Sequence, residues 1–142
     1  MSESFVEFYY QDVDKLALNE RLICDWINGA IRNENKKLGE LNCIFCSDSF
    51  LYEMNQTYLD HDNYTDIITF NYVEENKISG DLYISVDRVF ENATTYKVSK
   101  MQELKRVIIH GVLHLIGYND KTPEEADEIR AKEDFYLSLL VD

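Results

Sequence analysis

The chain has 142 residues, 45% of them hydrophobic and 13% aromatic, which suits one globular domain spanning residues 1–142 and built on one core. Its formal net charge of −13 excludes sequence-independent binding of nucleic acid over the whole surface, because neutralising phosphate needs clustered Lys and Arg. The charge is uneven, however: Lys97 to Arg106 carries four basic residues and one acid, whereas Asp120 to Asp142 carries three basic and eight acidic.

The N-terminal stretch has no basic region followed by a long apolar core, and no run approaches the roughly 20 apolar residues of a membrane span. A cytoplasmic protein with no membrane partner is expected. FVEFYY alternates and is aromatic-rich, so residues 4–10 read as a strand. Leu18, Leu22, Trp26 or Ile27, and Ala30 recur at helical spacing, predicting an amphipathic helix from Leu16 to about Lys37 that Gly39 closes. Leu41 to Cys46 reads as a second strand. Its Cys43 and Cys46 spell C-x-x-C, but an offset of three along a strand sends two side chains to opposite faces. With no second such pair, they are expected as small buried hydrophobes in a reducing compartment.

Asp48 reads as the N-cap of a short helix through Tyr58. Thr65 to Tyr72 and Asp81 to Val86 are β-branched and aromatic and read as strands, with Glu74 to Gly80 as a polar hairpin loop between them. A short helix over 87–96 follows, then a longer one over Met101 to Ile116. Thr122-Pro123-Glu124-Glu125 opens a last helix with a cap, a first-turn proline and acids that match the helix dipole. This order predicts an α+β fold: a small mixed β-sheet of about four strands covered by helices, with a metal site at the end of a central buried helix.

The segment behind that expectation is HGVLHLIGYND, His110 to Asp120, which holds two of the three histidines. Met101, Leu104, Ile108, Val112 and Leu115 form an apolar stripe, and His110 and His114 point away from it. Four residues make about one helical turn at ~1.5 Å each, so the imidazoles stand one above the other. Such a pair is either two ordinary half-buried histidines or two nitrogens converging on a divalent metal. Two more residues favour the metal. Gly117 can end the helix in a left-handed conformation, and Asp120 then returns as a third ligand.

The resulting H-x-x-x-H-x-x-G-x-x-D has the spacing of the metzincin zinc site, H-E-x-x-H-x-x-G-x-x-H. The glutamate that serves those proteases as general base is missing, since Gly111 stands there. Zinc accepts Asp oxygen, and three protein ligands with an open position make a catalytic rather than a structural site. The spacing leaves open a metalloprotease, a mononuclear iron oxygenase with a facial triad, and a non-catalytic module with a structural metal.

The same segment resembles the YbeY family of single-strand-specific metallo-endoribonucleases, whose motif H-G-x-L-H-L-x-G-Y-D-H carries a glycine after the first histidine. MNQTYLDHDNYTDIITF, Met54 to Phe70, is similar to that family's L-N-x-x-Y-R-x-x-D-x-P-T-D-V-L-S-F. ISGDLYIS, Ile78 to Ser85, is similar to its L-G-D-I-x-I-S strand. Together these cover most of Met54 to Asp120. The resemblance implies one zinc ion per chain held by His110, His114 and Asp120, with Asp120 where the family has its last histidine. It also implies cleavage of single-stranded RNA, in maturation of the 3′ end of 16S rRNA and ribosome quality control, with the small ribosomal subunit as partner and no DNA substrate. A carboxylate ligand lowers the charge of such a site by one and makes bound water less acidic.

Leu59 stands where the family has an arginine. Arg106, four residues before His110 and on the same face, is a catalytic candidate that contacts phosphate in its place, or else a helix charge paired with an acid. Lys97, Lys100 and Lys105 extend a basic strip, and some of the ten tyrosines are available for base stacking. Asp66 matches an acid of the family's second block. It is a catalytic candidate that orients a ligand histidine or helps activate water, or else a turn cap. Glu103 lies seven residues before His110, ~10 Å along the axis, too far for direct proton transfer. His61 reads as a surface residue.

Overall fold

A computed structural model describes residues 5–59 and 65–140. The elements are β1 (Phe5–Tyr10), α1 (Glu20–Asn33), β2 (Lys37–Cys46), α2 (Asp48–Leu59), β3 (Ile67–Asn71), β4 (Lys77–Ser85), α3 (Val86–Tyr96), α4 (Lys100–Ile116) and α5 (Pro123–Leu139). The strands form one mixed sheet in the order β1-β2-β4-β3, in which β2 is parallel to both β1 and β4, and β3 runs antiparallel on β4. This is the α+β architecture expected, a sheet of four strands covered by helices. No helix among the described residues is long and apolar enough to cross a membrane.

Helices α1, α3, α4 and α5 bury their apolar side chains with Cys43, Phe45, Leu82 and Ile84 on one face of the sheet. Helix α2 covers the other face, where Leu51 packs with Cys46 and Ile68. Cys43 and Cys46 are both fully buried free thiols in different clusters, as an offset of three on a strand requires. Burial pushes the Cys46 thiol up to about 12 and Cys43 higher still, which suits inert packing residues.

Several boundaries differ from expectation. Helix α1 starts at Glu20, not Leu16, because Asn19 caps it by accepting the Leu22 N–H at 3.2 Å. It stops at Asn33, where Asn35 takes a φ of 63° and the Lys36 N–H returns to the Ile31 carbonyl. Gly39 therefore closes no helix. It lies in β2, where a Cβ would stand 2.1 Å from Ser79 Oγ on the neighbouring strand. Helix α2 is capped by Ser47, whose Oγ accepts the Phe50 N–H at 3.1 Å. Asp48 instead forms an ion pair with Arg88 at 2.8 Å.

The stretch Glu74 to Gly80 is not all loop. The turn closes at the Glu74–Lys77 bridge, with Glu75 at a φ of 55°, and β4 already begins at Lys77. Its period of two runs through buried Ile78 and Gly80, but glycine supplies an inward position without an apolar side chain to reveal it.

Helix α4 carries buried residues on several faces, including Val107, Ile109 and Leu113 beside the expected Leu104, Ile108, Val112 and Leu115. It packs against β3, β4, α1, α3 and α5 at once, so a single apolar stripe understates it. Ser99 caps its start by accepting the Gln102 N–H at 3.0 Å. Thr122 and Glu125 form a reciprocal capping box that starts α5, with Pro123 in its first turn.

Candidate metal centre

The rotation of α4 about its axis is set by Gly111. A Cβ at that position would lie 2.8 Å from Ile67 Cδ1 and 2.9 Å from Leu82 Cδ2, so the helix rests its backbone on the sheet there. The packing that excludes a side chain at residue 111 also excludes the proteases' glutamate. With Gly111 against the sheet, His110 and His114 line the concave surfaces beside it.

Gly117 ends the helix with a φ of 129°, and the Tyr118 N–H bonds the Leu113 carbonyl at 3.0 Å. The reversed chain brings Asp120 Oδ2 to 3.5 Å from His110 Nε2 and 3.4 Å from His114 Nε2. The two Nε2 atoms are 2.9 Å apart. His110 Nδ1 faces Glu133 Oε2 at 2.6 Å, and His114 Nδ1 faces the Tyr118 carbonyl at 3.0 Å. Both Nδ1 partners are acceptors, which favours a proton on each Nδ1 and an Nε2 lone pair turned to one point. Two lone pairs and a carboxylate so close together repel one another unless a cation lies between them. Zinc bonds of about 2.0–2.1 Å at tetrahedral angles place donor atoms ~3.3 Å apart, close to the distances found. His110, His114 and Asp120 can therefore hold one metal ion, with the exposed side of Asp120 open to water or substrate.

Sequence reasoning missed Glu133 on α5. Its side chain is 4% exposed and binds His110 through one oxygen and the Arg106 guanidinium, at 2.9 Å, through the other. Burial alone would lower the His110 pKa, but the Glu133 hydrogen bond and charge, helped by Asp120 and Asp66, raise it instead. One signal was available. Glu133 falls four residues after Ile129 and three before Tyr136, the other two buried positions of α5, so it is an acid on an apolar stripe.

Of the two roles open to Arg106, the ion pair is the one observed: Glu133 and, at 2.8 Å, Asp134 occupy its guanidinium because α5 presents both acids to it. Asp66, at the entry to β3, lines the concave surface beside the histidines but makes no hydrogen bond to either of them, and Glu133 fills the orienting place expected of it. Burial pushes its carboxyl up against the opposing pull of His110. Lys105 is buried and does not join a solvent-facing strip, whereas Lys97 and Lys100 are exposed. The side chain of Leu59 and the whole of His61 lie outside the described residues.

His114 has its own supporting chain. The Tyr118 hydroxyl donates to Glu34 Oε1 at 2.6 Å, and Glu34 Oε2 accepts from Lys132 at 3.1 Å and from the Tyr136 hydroxyl. Burial works against the Glu34 carboxylate, but these donors hold its pKa below the usual carboxylate range. The cluster ties α1 and α5 to the turn between Gly117 and Asp120.

Two concavities meet at the centre. One, of about 240 Å³, is lined by residues of α4, α5 and the end of α3 together with Asp66 and Asp120, and the other, of about 430 Å³, runs along β3 past His110, His114 and Asp120. Among the described residues strand β3 is an edge of the sheet, with no further strand beside this groove.

With the geometry of His110, His114 and Asp120 described, comparison with known proteins is decisive for the family. The profile described as endoribonuclease YbeY matches residues 9–141. The chain belongs to the YbeY family. The endoribonuclease YbeY of Amoebophilus asiaticus is 49% identical over 138 residues, covering 96% of this chain and 94% of that protein. That of Cytophaga hutchinsonii is 46% identical over 140 residues and 98% of each chain. The solution structure of a Thermotoga maritima protein matches with a TM-score of 0.66 at 26% identity, over 95% of this chain and 88% of the other. The resemblance drawn from the motifs is thus borne out over most of the chain, well beyond Met54 to Asp120.

Proposed function

We propose that this member of the YbeY family is a zinc-dependent endoribonuclease that cuts single-stranded RNA. Its setting is the cytoplasm, in maturation of the 3′ end of 16S rRNA and ribosome quality control, with the small ribosomal subunit as partner. The observation that carries the reading is the convergence of His110 Nε2, His114 Nε2 and Asp120 Oδ2 in a chain related throughout to endoribonucleases.

A zinc ion bound there supplies Lewis acidity toward a phosphoryl oxygen and lowers the pKa of water. The protein's own groups do the rest. Glu133 holds the His110 ring in one tautomer, and Arg106 holds Glu133. Asp66, half-buried between cavity and groove, accepts a proton from the attacking water. The groove along β3 receives the sugar-phosphate chain, and exposed Lys97 and Lys100 attract it locally on an otherwise acidic surface. That acidity fits RNA presented on a particle better than free RNA in solution.

The test uses end-labelled single-stranded and duplex RNAs of one sequence, with chelator and with zinc restored. Internal cuts are expected in the single strand only, abolished by chelator and recovered with zinc. Binding of RNA with no cleavage under any metal would make the centre structural and the protein a binding module.

A further inference from the structure

The cavity of about 240 Å³ beside His110 and Asp120 combines apolar, aromatic and charged walls. Val107, Ala126 and Ile129 are apolar, and Tyr96, 60% exposed at the end of α3, stands at its edge. The third feature is Glu103. It is only 5% exposed, it lines this cavity, and it makes no side-chain hydrogen bond or ion pair among the described residues. Two cations act on it from a distance: Arg106, whose guanidinium is already bonded to Glu133 and Asp134, and the exposed Arg130, which stands 3.7 Å from Glu133 Oε1. No side-chain oxygen among the described residues is both buried and unpartnered, so the Glu103 carboxylate, which accepts no hydrogen bond from the fold, keeps its oxygens open to the cavity and free to take a donor from a ligand.

A partner for this cavity must be flat enough to lie against the apolar walls, offer its face to Tyr96 and present N–H groups to Glu103. An apolar cavity of ~150 Å³ admits benzene, so this one has room for a bicyclic ring. Among nucleobases, guanine alone offers two adjacent donors, N1–H and N2–H, spaced to match the two oxygens of one carboxylate. Adenine and cytosine present one amino group beside an acceptor nitrogen, and uracil presents one N–H between two carbonyls that repel a carboxylate. Stacking on an exposed aromatic and hydrogen bonding on the Watson–Crick edge are the usual means by which unpaired RNA bases are held.

We propose that this cavity receives a guanine of the RNA substrate next to the phosphate that is cut, with Glu103 accepting from N1–H and N2–H and Tyr96 stacking on the ring. The proposal rests on the RNA-cleaving reading for its substrate, but base binding itself needs no reaction. His110 and Asp120 line the same cavity, which sets the base directly beside the metal ligands. Lys97 and Lys100, exposed just beyond Tyr96, lie where the adjoining phosphates pass.

The ligand chemistry is a guanine base, whether in a free nucleotide or within RNA, and two measurements on the full chain separate these sources. In the first, 5′-GMP, AMP, CMP and UMP are titrated while the amide signals of Tyr96, Ala126 and Ile129 are followed by NMR. GMP alone is expected to shift them, with affinity reduced about tenfold or more in Glu103→Gln and shifts abolished in Ala126→Trp, which fills the cavity from its apolar wall. In the second, single-stranded RNAs that differ by one guanine are cleaved. The wild type is expected to cut beside the guanine at least tenfold faster than at the replaced base, and this ratio to fall toward one in Glu103→Gln.

Equal shifts with all four nucleotides, no shift with any, or unchanged GMP affinity in folded Glu103→Gln would each overturn the base site. GMP binding without a guanine preference in cleavage would overturn its placement beside the cut phosphate. GMP binding by a protein that cuts no RNA would sink the nuclease reading while leaving the base site standing.

Discussion

The two imidazoles of the candidate metal centre stand one turn apart on the same helix, yet different chemistry holds each. His110 Nδ1 meets the buried Glu133 carboxylate, itself fixed by Arg106, whereas His114 Nδ1 meets the Tyr118 peptide carbonyl, itself fixed through Glu34, Lys132 and Tyr136. The first chain delivers negative charge to its histidine and raises that ring's basicity. The second delivers none, and what it fixes is the turn that carries Asp120 into place. Charge tuning and backbone placement are thus divided between two neighbouring candidate ligands, and both chains pass through α5, which adds no residue to the candidate group.

Breaking a ligand should have the largest effect. Replacing His110 or His114 with Ala is expected to remove stoichiometric zinc and with it RNA cleavage, while the near-UV spectrum of the fold persists. Next comes the charged chain. Glu133→Ala should weaken metal affinity by ~10–100-fold in competition with a fluorescent chelator, and Glu133→Gln should lose less, since an amide oxygen still accepts from Nδ1–H. Equal losses in the two variants would show that shape, not charge, is what Glu133 supplies.

The neutral chain should show the reverse balance, with stability affected more than metal. Glu34→Gln is expected to cost ~1–3 kcal/mol in chemical denaturation at neutral pH and to change metal affinity less than tenfold. Because the Glu34 pKa is held below its ordinary value in the folded state, the stability it contributes is present above the ordinary carboxylate range and lost as pH falls through the folded value. The melting temperatures of wild type and Glu34→Gln should therefore converge on acidification.

The smallest effect has the opposite sign. Burial raises the Glu103 pKa, so folding loses stability as pH rises through that raised value. Glu103→Gln should accordingly melt slightly higher than wild type at neutral pH in the absence of ligand, with no difference at acid pH. Thermal scans at the two pH values read both outcomes.

Much of this was legible in the sequence because it is local. Helical spacing placed His110 over His114, glycine chemistry placed the reversal at Gly117, and a three-residue offset put Cys43 and Cys46 on opposite faces of β2. What stayed hidden depends on which element packs beside which. Glu133 is 23 residues from His110 and meets it only because α5 folds back along α4. Arg106 stays open between phosphate contact and pairing with an acid until the same helix sets two acids against it. Gly80 masked the inward period of β4, and Gly39 looked like a helix stop although it lies where β2 passes close to Ser79.

The central claim, that His110, His114 and Asp120 hold one catalytic metal ion, is tested most directly by elemental analysis of protein purified without added metal, wild type beside Asp120→Ala, with RNA cleavage measured on the same samples. The account predicts about one zinc per wild-type chain, with metal and cleavage falling together in the variant. A wild type that carries no metal yet cuts RNA, or an Asp120→Ala variant with full zinc and full activity, would contradict it.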